Sequence, residues 1–219
     1  MLDVDWQDGV AIVRWRDGEN RFNRASVERW HQVLDELVAI EGPLAVVVVG
    51  EGRFFSNGLD LDSVAADPDG AAALLGEVHR LFGRLLVFPA YTVAALNGHT
   101  FAGGAMLACC VDMRVMRDDR GYWCLPEVDL GLPVTEQMFA AVTARLPVAA
   151  AAEALNTGRR YTGREAVAAG IVEQVAPESE VLDRAIALAV PMAPKNRNVI
   201  AHHKQLLFGD AARICGHQA

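Results

Sequence analysis

Phe54-Phe55-Ser56-Asn57-Gly58-Leu59-Asp60-Leu61, taken with Asn97-Gly98-His99-Thr100-Phe101-Ala102-Gly103-Gly104-Ala105-Met106-Leu107-Ala108, decides the fold. Each stretch follows an apolar, β-branched run, Leu44 to Val49 in the first case and Tyr91 to Leu96 in the second. Such runs predict strands, the first covered on both faces. Each stretch then places glycine where a chain turns sharply or admits a ligand close to the backbone. Gly103 and Gly104 precede a helix-forming run, so their amides fall among the unpaired donors of a helix N-terminus. Two such loops can aim two N–H groups at one oxygen, the geometry that stabilises a charge appearing only in a transition state.

Working outward, Gly9 to Arg16 predicts a strand that Asp17-Gly18 ends with turn chemistry. Asn23 to Ser26 offers caps for a helix with Val27, Trp30, Leu34, Leu37 and Val38 on one face, broken by Gly42-Pro43. After the first glycine loop, Asp67-Pro68-Asp69-Gly70 is a turn or cap. Leu74, Leu75, Val78, Leu81, Phe82, Leu85 and Leu86 then recur at helical spacing until Pro89. Asp112 to Met116 predicts a further strand. Strand, glycine loop and helix therefore occur twice, an α/β pattern. Leu125 to Pro133 is a proline-bracketed loop carrying Glu127. The remainder is alanine-rich and predicts helices over Thr135–Arg145, Val148–Asn156, Arg164–Ala168, Glu178–Val190 and Asn196–Phe208. The last two carry apolar stripes, Val181/Leu182/Ala185/Ile186/Ala189 and Val199/Ile200/His203/Leu206/Leu207, which suit docking or assembly.

The chain of 219 residues is long enough for one domain with a sizeable core. A net charge of −8 and no basic run argue against nucleic-acid and anionic-membrane partners, so an anionic ligand must be met by local cations. No apolar stretch approaches a membrane span, and the acidic start, Met1 to Asp5, lacks a signal-peptide pattern. The expectation is a cytoplasmic protein. Cys109, Cys110, Cys124 and Cys215 lack metal-site spacing and are expected as buried, reduced thiols, with no metal site.

In this order and spacing the motifs resemble the crotonase superfamily, the enoyl-CoA hydratase and isomerase group. Phe55 to Leu61 and Asn97 to Arg114 look like its two oxyanion loops. Leu125-Pro126-Glu127 to Leu132-Pro133 looks like its catalytic loop, and Thr162 to Ala166 through Gly170-Ile171-Val172 like its late turn. The resemblance implies a crotonase-like α/β spiral of strand-strand-helix units over residues 1–158. A helical region over 159–219 then mediates a homotrimer or dimer of trimers. It implies that the amides of Leu59 and Gly103 hold the oxygen of an acyl-CoA thioester as it becomes an enolate. CoA is part of the substrate, and no other cofactor is implied.

Hydratases of this group use two glutamates. Here Glu127 occupies one place and Met106 the other. Methionine cannot orient water, whereas moving a double bond from C3 to C2 requires only one carboxylate. The resemblance therefore implies a Δ3,Δ2-enoyl-CoA isomerase, similar to the plant peroxisomal type, although His217-Gln218-Ala219 is not a peroxisomal address. The alternatives are a hydratase recruiting another acid, such as Asp129 or Glu136, or a non-catalytic acyl-CoA-binding subunit. A dienoyl-CoA isomerase would want carboxylates at the places of Met106 and Thr135.

The implied substrate-binding set is Arg21, Phe22, Ser56, Asn57, Gly58, Asp60, Leu61, Gly104 and Met106, with Asp60 chiefly capping the segment after the first loop. Arg21, Arg24 and Lys204 are candidates for the CoA phosphates. Packing of Leu61, Leu74, Leu75 and Phe139 is expected to shape the acyl pocket. His99 is expected to pack or hydrogen-bond rather than react, and His202-His203 to lie on a helix surface.

Overall fold

Four consecutive valines, Val46 to Val49, set the architecture, because alternate side chains of a strand need apolar cover on opposite faces. The computed structural model describes residues 1–217, so the C-terminal tripeptide reading falls partly outside the described residues. In chain order the elements are β1 (Leu2–Gln7), β2 (Val10–Trp15), β3 (Arg21–Phe22), α1 (Arg24–Val38), β4 (Ala45–Gly50), β5 (Phe54–Ser56) and β6 (Gly58–Leu59). There follow α2 (Leu61–Ala66), α3 (Pro68–Leu86), β7 (Tyr91–Leu96), β8 (His99–Phe101), α4 (Gly103–Cys109), β9 (Met113–Arg117) and β10 (Trp123–Cys124). The rest comprises α5 (Glu136–Thr143), α6 (Val148–Thr157), α7 (Gly163–Ala168), β11 (Gln174–Ala176), α8 (Val181–Ala189) and α9 (Arg197–Ile214).

The main sheet runs β1-β2-β4-β7-β9-β11, with β1 antiparallel and the other pairs parallel. On one face Val46 and Val48 join Ala11, Val13, Trp15, Ala94 and Leu96 beneath α1, α3 and α4. On the other, Val47 and Val49 join Val10, Ile12, Val93 and Ala95 beneath Val181, Ala185, Ile186 and Ala189 of α8. The α8 stripe therefore docks on its own sheet. Burial of both faces across β4 and β7 supplies the hydrophobic driving force that an apolar parallel sheet depends on.

Two small sheets build the site. β5, β8 and β10 pair in parallel, and β3 pairs with β6, matching Arg21 with Gly58 and Phe22 with Leu59. These fold back as the strand-strand-helix units of a crotonase-like spiral. The described residues 159–217 share the same body: β11 extends the main sheet and α9 packs on α3 and α5.

Several expectations need correction. β1 was absent from them because its acidic, half-exposed sequence hides an edge strand. The segment Glu178–Val190 opens with a 3₁₀ turn at Glu178–Glu180 before α8 begins, and α9 runs on to Ile214. Lys204 does not reach outward to a phosphate. It is 4% exposed, and its Nζ donates to the Ala90 carbonyl at 2.7 Å and lies 2.5 Å from Asp112 Oδ2. All four cysteines are free and buried. Among the described residues no helix is long and apolar enough to cross a membrane.

Candidate functional site

The first loop is held from behind by Asn20, a residue the sequence reading missed. Its Nδ2 donates to the carbonyls of Phe54 and Phe55 at 3.0 and 3.2 Å, and its own carbonyl accepts Ser56 Oγ at 2.6 Å. The Gly58 amide in turn donates to Ser56 Oγ at 3.2 Å. Ser56 is thus fully buried scaffolding rather than a wall of the site. The only local signal for Asn20 was its place just after Asp17-Gly18. It adopts φ 54°, a left-handed conformation that Asn tolerates better than most residues.

Gly58 sits at φ 80°, and a Cβ on it would lie 2.8 Å from Ala102 Cβ and 3.0 Å from the Gly103 nitrogen. The two glycine loops therefore touch. Phe22 accepts the Asp60 amide on its carbonyl at 2.9 Å. Alternation along a parallel strand turns the neighbouring Leu59 N–H away from β3. Gly103 opens α4 behind Ala102, which holds a strained φ of 49° and makes no side-chain cap to the helix. A Cβ on Gly104 would lie 2.6 Å from the Ser56 carbonyl oxygen. Gly104→Ala is accordingly expected to cost about 1–3 kcal/mol by forcing the loops apart. Gly76→Ala, in α3 with open space around it, is expected to gain about 0.5–1 kcal/mol. Thermal denaturation of the two variants checks the pair.

Glu127 lies on the loop after β10. A turn fixes it: the amides of Asp129 and Leu130 donate to the Pro126 carbonyl, and Leu132 N–H donates to the Glu127 carbonyl at 2.9 Å. The residue is 9% exposed, and Oε2 is buried without a hydrogen-bond partner. Burial pushes its carboxyl above the ordinary glutamate range.

One cavity of about 420 Å³ gathers Leu59, Gly103, Met106 and Glu127. Phe22, Asn57 and Leu61 also line it, with Arg21 and Asp62 the other charged residues in the wall. Gly58 and Gly104, expected among the substrate-binding residues, do not line it and pack instead against Ala102 and Ser56. The apolar wall differs from expectation: Leu61 and Leu75 take part, but Leu74 and Phe139 give way to Val78, Phe82, Leu130, Leu132 and Met138. Phe139 is instead 51% exposed. Asp129 and Glu136 are exposed and do not line the cavity. Thr135 caps α5, accepting the Met138 amide.

Arg21 is already matched by carboxylates. It donates to Glu19 Oε2 at 2.9 and 2.6 Å, reaches Asp62 at 3.4 Å and lies 3.6 Å from Asp60. Asn57 Nδ2 donates to the same Glu19 oxygen at 2.8 Å. An approaching phosphate meets an acidic cluster at this point rather than a free cation. Asp60 caps α2 through Ser63 and pairs with Arg21. Arg24 lies outside the cavity, 3.0 Å from Asp67. His99 packs among Phe54, Phe101 and Tyr122, with ring centroids 5.0–5.8 Å away. His202 and His203 are exposed. Among the described residues no group of three or more His, Cys, Asp or Glu could hold a metal ion.

Comparison with known proteins identifies the family. The profile of the Enoyl-CoA hydratase/isomerase family matches residues 5–213. Enoyl-CoA delta isomerase 3 of Arabidopsis thaliana is 34% identical over 208 residues, covering 90% of this chain and 87% of that protein. The 2,3-dehydroadipyl-CoA hydratase of Escherichia coli is 31% identical over 183 residues, covering 80% of this chain and 69% of that protein. An apo enoyl-CoA isomerase structure from Mycobacterium tuberculosis superposes with a TM-score of 0.88 at 27% identity, covering 98% of this chain and 94% of that one. The matched span contains the glycine loops, the proline loop and the late turn, and the chain is a member of the enoyl-CoA hydratase/isomerase family of the crotonase superfamily.

Proposed function

We propose that the protein isomerises 3-enoyl-CoA to trans-2-enoyl-CoA through a single carboxylate. The observation that carries the reading is Glu127 Oε2, buried without a partner in a cavity where Met106 stands in place of a second acid. The carboxylate takes a proton from C2. The electron pair left behind delocalises over the thioester and the C3–C4 double bond, and the amides of Leu59 and Gly103 stabilise the charge on the thioester oxygen. Glu127 then returns a proton at C4, leaving the double bond between C2 and C3. The reaction conserves every atom and consumes no co-reactant, and CoA serves as part of the substrate.

Addition of water would need a second group to orient and activate it. Methionine does neither, and the nearest additional carboxylate in the wall, Asp62, is a largely exposed partner of Arg21. The exposed Leu206 and Leu207 of α9, 72% and 71% accessible, support assembly as a homotrimer or a dimer of trimers. The function is tested by offering purified protein 3-enoyl-CoA and trans-2-enoyl-CoA separately. Appearance of the conjugated thioester from the first, with little consumption of the second by water addition, is expected. Faster hydration of the second than isomerisation of the first would overturn the reading.

A further inference from the structure

Met138 contributes to the cavity from α5, and a different helix, α3, supplies Leu75, Val78 and Phe82. These two helices pack together, and one polar link joins them. His79, 6% exposed on α3, places Nε2 3.3 Å from Thr135 Oγ1. That same Oγ1 caps α5 by accepting the backbone amide of Met138 at 3.2 Å. A hydroxyl carries one proton and two lone pairs, so Thr135 can accept from Met138 and still share a hydrogen bond with the imidazole nitrogen, the His79 tautomer setting which of the two donates. A continuous chain of bonds therefore runs from α3 through His79 and Thr135 to the backbone of a residue that forms the cavity wall.

We propose that His79 and Thr135 are positioning residues that fix Met138 and thereby set the acyl-chain length the cavity accepts. The inference rests on the acyl-CoA reading above. A hydrocarbon tail must leave the polar thioester region and bury itself against the apolar wall, where each methylene gains from leaving water. The wall draws on both helices, with Leu61, Leu130 and Leu132 beside them, so its spacing depends in part on what ties α3 to α5. Helix–helix packing alone tolerates small slides, whereas a hydrogen bond to a helix cap restricts both angle and distance. Burial holds the His79 imidazole below its ordinary pKa, with no charged neighbour opposing the effect, so the link is a neutral one that persists at physiological pH. Neither residue lines the cavity, and neither takes part in the proton transfer.

The test measures binding of saturated hexanoyl-CoA and decanoyl-CoA by calorimetry, which requires no turnover. Loosening the wall favours the longer chain. The ratio of Kd for hexanoyl-CoA to Kd for decanoyl-CoA is expected to rise roughly threefold to tenfold in Thr135→Val and in His79→Leu, the effect of one lost hydrogen bond. Thr135→Ser, which keeps the hydroxyl, is expected to hold the wild-type ratio. His79→Leu leaves the α5 cap intact, so it reads the link separately from helix capping. Equal weakening of both ligands, or an unchanged ratio in folded His79→Leu, would overturn the inference while leaving the isomerase reading intact. Failure of the wild-type protein to bind either acyl-CoA would overturn both.

Discussion

Glu127→Gln is expected to lower kcat on 3-enoyl-CoA by roughly 10²- to 10⁴-fold, the range for loss of a positioned general base. The same substitution is expected to leave the protein as stable as before, or more stable, at neutral pH. The reason is the desolvation that raises the Glu127 pKa. A carboxyl whose folded pKa exceeds its unfolded value contributes stability that is fully present below the unfolded pKa and is lost as pH rises through the folded one. At neutral pH the ionised side chain therefore costs stability, and a neutral amide removes that cost. Activity moves the opposite way. The base must be ionised, so kcat/KM falls on the acid side through a pKa above that of an ordinary glutamate. Steady-state kinetics across pH, with thermal denaturation of both proteins at neutral pH, checks both halves. A variant that lost activity only in proportion to lost stability would point to a structural role for Glu127.

The largest expected loss of stability lies outside the cavity wall. Asp112→Asn is expected to destabilise the fold by about 3–5 kcal/mol, because it leaves the buried Lys204 and the half-buried Arg145 without their shared anion. Burial works to raise the Asp112 carboxyl, but the charges of Lys204 and Arg145 outweigh it and hold the pKa below the usual range. Desolvation pulls Lys204 itself down to about 8, against the attraction of Asp112. Lys204→Met is expected to cost less, since Asp112 keeps Arg145 at 2.8 Å and the Thr92 amide at 2.8 Å. Urea denaturation gives the ordering, and kcat of the surviving folded protein is expected to remain near wild type.

Local chemistry made the central framework legible in the sequence. The valines of β4, the run in β7 and the two glycine loops each carry a signal within ten residues, and the structure places them side by side. Asn23, Asp60 and Asp67 cap helices as their side chains suggest. What escaped depends on distant partners. The two-residue strands β3, β6 and β10 are too short to carry periodicity, and they exist because the loops they belong to meet. Lys204 reads as a surface lysine until Asp112 and the Ala90 carbonyl are brought to it. The cavity wall was misjudged by one turn along the same face of α3, Val78 for Leu74, and by one residue in α5, Met138 for Phe139, where the packing of α5 on α3 decides which face looks inward. Asn20, with three buried hydrogen bonds to the first loop, had no sequence signal strong enough to mark it.

The central claim is that one carboxylate beside a methionine moves a proton and leaves water out. Incubating the wild-type protein with 3-enoyl-CoA in heavy-oxygen water, followed by mass spectrometry of the acyl products, tests it most directly. The account predicts trans-2-enoyl-CoA of unchanged elemental composition and no heavy oxygen on carbon as the main product. A 3-hydroxyacyl-CoA carrying the heavy oxygen as the main product would contradict it.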